Sequence, residues 1–119
     1  RIVADSTAAV EPKWFTIAPV HALAKLSEKT KSKPLDWDLY EINEAFSGVT
    51  MAAMKDHGIP HDRVNVHGGA VSIGHPIGCS GARILVTMLH ALRQRGQKTG
   101  IATLCIGGGE AVALAVELF

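Results

Sequence analysis

Apolar residues recur along this chain in two rhythms, every second residue and every third or fourth, and their succession predicts the fold. Ile2-Val3-Ala4 reads as a strand, followed by a loop with Pro12 and Trp14. Pro19 stands where a helix begins, since the first turn has no use for the missing N–H; Val20, Leu23 and Ala24 face the core until the polar stretch 27–33. Leu39-Tyr40-Glu41-Ile42 is a short strand, and a second helix is expected over 44–57, closed by Gly58 and Pro60. Val64-Asn65-Val66 reads as a third strand. After a glycine-rich loop, Leu85, Met88, Leu89 and Leu92 form the apolar stripe of a third helix, with Arg93 and Arg95 at its C-terminal dipole and Gly96 as its stop. Two strands, over 100–106 and 111–118, finish the chain around the turn Gly107-Gly108-Gly109-Glu110. The order βαβαβαββ predicts an α/β fold of three layers, α/β/α, around a mixed five-stranded sheet. The closing hairpin makes the last strand antiparallel.

With 119 residues, 47% of them hydrophobic, the chain has material for one core and is read as one domain over 1–119. It begins at Arg1 rather than Met, within a predicted strand, so it is expected to be one part of a longer protein. Twelve Lys and Arg nearly cancel eleven Asp and Glu, which favours neither nucleic acid nor an anionic membrane as partner. Its longest apolar runs are about half of the roughly 20 residues that span a bilayer. The cysteines, Cys79 and Cys105, are too few for a disulfide framework and are expected to stay reduced.

The chemistry is concentrated where the glycines are. His75 lies in Gly74-His75-Pro76-Ile77-Gly78, and Cys105 precedes Gly107-Gly108-Gly109, so an imidazole and a thiol sit in backbone that a substrate can approach closely. Ligands of such a sheet bind beyond the carboxyl ends of its parallel strands, where Asn43, the segment 67–75 and Cys105 converge. Blander readings stand beside these: Cys105 as a small buried hydrophobe, His75 as a loop former before proline, Asn43 as a helix cap. His67 and the histidines at 21, 57, 61 and 90 read as surface or loop residues. Cys79, at a helix start, has the setting of a reactive thiol without being placed in catalysis. Among His67, His75, Cys79 and Cys105 no C-x-x-C or H-x-x-x-H pair supports a metal site, and the glycines fit neither G-x-G-x-x-G nor a P-loop.

Four motifs carry a family resemblance across the whole chain: Asn43-Glu44-Ala45-Phe46; Asn65-Val66-His67-Gly68-Gly69-Ala70 running to Gly74-His75-Pro76-Ile77-Gly78; Ser80-Gly81-Ala82-Arg83; and Cys105-Ile106-Gly107-Gly108-Gly109. Together they resemble the C-terminal half of the thiolases. That resemblance implies a layered domain paired, in one polypeptide, with an N-terminal half of similar fold that carries the nucleophilic cysteine. It implies joining of two acetyl-CoA into acetoacetyl-CoA plus CoA, or the reverse cleavage, in a homo-oligomer, with coenzyme A thioesters as substrates and no required cofactor. His75 would activate the nucleophile and bind the thioester oxygen, Asn43 would hold a water completing that oxyanion hole, and Cys105 would move the α-proton. The Gly107 amide would serve a second oxyanion hole, and Phe46 and Ala45 would line the acyl pocket. Segment 15–20 is similar to potassium-responsive members, with the Val71 carbonyl the candidate ligand. His67, where the family has Asn, and Cys79, where it has Ala or Met, depart from the pattern outside the catalytic motifs. Alternatives are a thiolase of broader chain length or a noncatalytic CoA-binding partner; decarboxylating relatives carry histidine at the Cys105 position. The expected compartment is the cytoplasm for a bacterial protein, with the mitochondrion also open.

Overall fold

A computed structural model describes all 119 residues. Strand β1, Ile2–Ala9, is longer than its opening apolar triplet because its outward-facing residues are polar or small. A 3-10 turn over Pro12–Ile17 leads into helix α1, Ala18–Thr30, which starts with proline in its first turn as expected and ends at Lys31 with a left-handed φ of 54°. Then come β2, Leu39–Ile42; α2, Ser47–His57; the short α3, Ala70–Ile73; α4, Ser80–Arg95; β3, Thr99–Cys105; and β4, Glu110–Glu117. Left-handed glycines close α2 and α4, Gly58 at φ 62° and Gly96 at φ 63°.

The sheet has four strands in the order β1-β4-β3-β2. Strands β2 and β3 are parallel, and β4 runs antiparallel to both of its neighbours. The α/β layering and the antiparallel last strand are therefore as expected, with one strand fewer. Val64-Asn65-Val66 contributes only isolated bridges, Tyr40 with Val64 and Val66 with Gly68. Asn65 has a φ of 48°, which breaks an extended run. Its backbone N–H donates to Tyr40 O at 2.9 Å. Its side chain then does what the next strand residue would do: Oδ1 accepts from Ile42 N–H at 2.8 Å and Nδ2 donates to Ile42 O at 2.9 Å.

Alternation along the strands sorts the core into two layers. On one face Tyr40, Ile42, Ile101, Cys105, Ala111, Ala113 and Ala115 pack under α1 and α2, against Leu23, Leu26, Val49 and Ala53. On the other face Leu39, Ala102 and Val116 pack under Ile84, Met88, Ala91 and Leu92 of α4. Side chains such as Leu26 and Met88 have no exposed surface, and truncating one to Ala should cost about 2–5 kcal/mol. Helix α4 comes very close to the sheet: a Cβ on Gly100 would lie 2.6 Å from Met88 Sδ and 3.2 Å from Leu39 O. It covers β2 and β3 and leaves a 280 Å³ apolar hollow beside it, walled by Leu85, Leu104, Val112 and Leu114.

Candidate active site at the carboxyl end of the sheet

Asn43 is placed by the sheet itself. Its N–H donates to Thr103 O at 3.0 Å, which carries the parallel β2–β3 ladder one residue past β2. The residue is wholly buried. Helix α2 accordingly begins at Ser47 rather than 44, because the intervening residues are used elsewhere: Phe46 is extended, and the Glu44 carboxylate accepts from Val71 N–H at 3.0 Å and Asn65 Nδ2 at 3.2 Å. Glu44 thus ties the end of β2 to the glycine loop. A Cβ on Gly69 would lie 2.5 Å from that carboxylate.

The loop after α3 brings His75 up beside Asn43. His75 Nδ1 is 2.6 Å from Ser80 Oγ, and that hydroxyl also donates to Pro76 O at 3.1 Å. A carbonyl only accepts, and a hydroxyl has one proton to give. The arrangement that satisfies both contacts has Ser80 O–H on Pro76 and Nδ1–H on Ser80, which leaves Nε2 with a free lone pair. Asn43 Nδ2 lies 3.4 Å from Nδ1 and 3.5 Å from Nε2, too far from either for a strong bond. On its other side Asn43 Oδ1 accepts from Arg83 Nη2 at 3.1 Å, and Arg83 Nη1 meets Glu41 Oε2 at 3.4 Å. Burial pushes the Glu41 carboxyl up to about 7; Arg83 pulls it down and Glu44 adds to the rise.

Cys105 ends β3 and turns toward the same place. It is buried, and burial pushes its thiol above the ordinary value while a backbone hydrogen bond pulls the other way, so the protonated form is favoured. In the turn that follows, Ile106 N–H goes to Glu110 O and Gly109 N–H to Ile106 O, whereas the Gly107 N–H has no partner within the chain. Cys105, His75 and Gly107 border one cavity of 470 Å³, whose other walls are Phe15, Ala45, Phe46, Ile77, Leu104 and Ile106. Phe15 and Phe46 meet edge to face at 6.1 Å. The result is an apolar slot with an imidazole nitrogen, a thiol and a free amide: a base, an acid and an oxyanion donor.

Of the expected site residues, His75, Cys105, Gly107, Phe46 and Ala45 are brought together on this cavity, and Asn43 sits directly behind His75. Val71 is elsewhere, 68% exposed on α3. Cys79 is exposed and lies off the cavity wall. His57 is not a surface residue: its side chain is 11% exposed and Nε2 meets Val20 O at 2.9 Å, joining α2 to α1. Phe15, Ile77, Leu104 and Ile106 were not anticipated as walls, nor Ser80, Arg83 and Glu41 as supports. Phe15 had a signal, an aromatic in a loop beside a predicted helix start; Ser80 and Arg83 had none beyond their place in a motif, and Glu41 stood in a predicted strand outside every motif.

Comparison with known proteins bears on the family and the fold. The family model described as "Thiolase, C-terminal domain" matches residues 1–118. The acetyl-CoA acetyltransferase of Allochromatium vinosum is 51% identical over 98% of the chain, and the cytosolic acetyl-CoA acetyltransferase of Mus musculus 47% identical over 98%. The crystal structure of the Bacillus anthracis acetyl-CoA acetyltransferase superposes over 100% of the chain with a TM-score of 0.97 at 48% identity. In each case the chain spans 30% of the relative's length. The family-model match, the identity over nearly every residue and the shared fold establish that the chain belongs to the thiolase family, as its C-terminal domain.

Proposed function

We propose that this chain supplies the acid/base side of an acetyl-CoA C-acetyltransferase site, whose acyl-carrying cysteine comes from the remainder of a longer polypeptide that assembles as a homo-oligomer. The observation that carries the reading is the meeting of His75 Nε2, the Cys105 thiol and the free Gly107 amide on one apolar cavity. In condensation, Cys105 as thiolate takes an α-proton from acetyl-CoA. The resulting enolate attacks the acyl-enzyme carbonyl, the C–C bond forms, and the cysteine leaves as thiolate with acetoacetyl-CoA released. Enolate charge is met by His75 Nε2–H, the form it takes once Nε2 has accepted a proton, and by a water held by Asn43; charge on the attacked carbonyl is met by the Gly107 N–H. In cleavage the steps reverse, and the protonated form that burial favours makes Cys105 the acid that returns the proton to the departing acetyl-CoA. His75 Nε2 is free to accept the proton of the acyl-carrying thiol. Phe15, Phe46 and Ile77 form an apolar passage suited to the acyl and pantetheine portions of a thioester.

Val71 would contribute one carbonyl to a potassium ion. One carbonyl does not build a cation shell.

The test is kinetic, in a full-length thiolase chain containing these residues. Cys105→Ser should lower condensation and α-proton exchange by roughly three powers of ten while acylation of the nucleophile falls far less. Equal losses in both half-reactions would remove Cys105 from the role assigned.

A further inference from the structure

Two charged groups, the buried Glu41 and the partly buried Arg83, stand behind the site and take no part in the steps above. Arginine carries donors only, so whichever Asn43 atom faces it must be the oxygen. That contact, Nη2 to Oδ1 at 3.1 Å, sends the Asn43 NH2 to the opposite side, toward His75. The choice matters because an asparagine's O and N are alike in size. With no neighbour to distinguish them the group turns over easily; a water that accepts from the NH2 keeps both its protons to give, whereas a water held by the oxygen spends one on it and has fewer left for the enolate.

We infer that Arg83, held by Glu41, is the positioning residue that fixes the Asn43 carboxamide with its NH2 toward His75; the inference rests on the acyl-transfer reading above.

The pair makes a poor stabiliser. Glu41 and Arg83 touch through a single contact of 3.4 Å, and Glu41 Oε1 and Arg83 Nε are buried with no partner. Each such orphan costs desolvation that a lone long contact does not repay. Burial, moreover, pushes the Glu41 carboxyl up to about 7 despite its cationic neighbour. What the fold obtains is orientation. Helix α4 supplies it with adjacent positions on one face: Ser80 reaches His75, and Arg83, three residues on, reaches Asn43. The first turn of one helix therefore sets the hydrogen-bonding direction of both groups assigned above to the thioester oxygen.

The experiment compares variants of the full-length chain. Removing Arg83 alone would strand a buried carboxylate, so the informative variant is Glu41→Gln with Arg83→Met, its folding checked by circular dichroism. It should lower kcat for acetoacetyl-CoA cleavage roughly 100-fold, the effect of a misplaced catalytic group, with KM within a few-fold. In an Asn43→Ala background the same pair of changes should cost less than twofold further, because its effect passes through Asn43. Full activity in the folded variant, or an undiminished loss in the Asn43→Ala background, would overturn the inference. If the wild-type full-length chain does not cleave acetoacetyl-CoA, the acyl-transfer reading fails separately. Orientation is then read by NMR: the Asn43 side-chain amide signals should shift and broaden in the double variant, and unchanged signals would sink the proposal.

Discussion

Between pH 4.5, the ordinary carboxyl value, and about 7, where burial has pushed Glu41, the folded chain binds a proton that the unfolded chain has released. The stability tied to that proton is fully present below 4.5 and is lost as pH rises through 7, a loss of roughly 3 kcal/mol over the window. Glu41→Gln keeps an acceptor for Arg83 without the titration, so its melting temperature should fall less steeply with pH across that range than the wild type's. Parallel slopes in thermal melts would show that Glu41 is not the titrating group. At this scale the sequence exposes some residues and hides others. His75 and Cys105 stand out because glycines isolate them, and their chemistry can be read where they stand. Glu41, Asn43 and Arg83 acquire their roles from partners 40 and 42 positions apart, which no local pattern records. Ser80 reads as an ordinary first-turn serine until the loop folds His75 back onto it.

Elements with a strong repeat were legible, and those shaped by one side chain were not. The α4 stripe appears where the spacing of three and four puts it, closed by its glycine. Helix α2 starts late because Glu44 and Phe46 are drawn away by the glycine loop and the cavity. The 64–66 segment has β-branched residues on either side of Asn65, which is why it reads as a strand, yet the left-handed turn at Asn65 prevents one. The β3–β4 turn was placed correctly, and its last glycine is held by geometry. Gly109 has φ 102°, and a Cβ there would lie 2.3 Å from Val10 O, while its own carbonyl accepts from Val10 N–H at 2.9 Å. Gly109→Ala should therefore destabilise the protein by roughly 2 kcal/mol or more, from left-handed strain and the lost approach to Val10. Urea unfolding would show it as a lower midpoint; an unmoved midpoint would mean that the turn relaxes without strain.

For the whole molecule, composition bounded the core and topology located the site, because ligands follow from where parallel strands end. Neither could report the apolar hollow beside α4, which is visible only once Leu85 and Leu104 are seen half-covered. The Asn65 clamp on Ile42 has a consequence for how separate molecules meet. Strand β2 is one of the two outermost strands, and its free side would offer unpaired amides and carbonyls as a template for another chain. Asn65 occupies that side, with its N–H on Tyr40 O and its carboxamide on both polar groups of Ile42. One residue, in a conformation asparagine tolerates better than most, thus caps an edge that would otherwise invite intermolecular pairing. Asn65→Gly keeps the backbone conformation and removes the cap, so light scattering at rising concentration should show association beyond that of the wild type, whereas an identical profile would mean that the edge is guarded by something else.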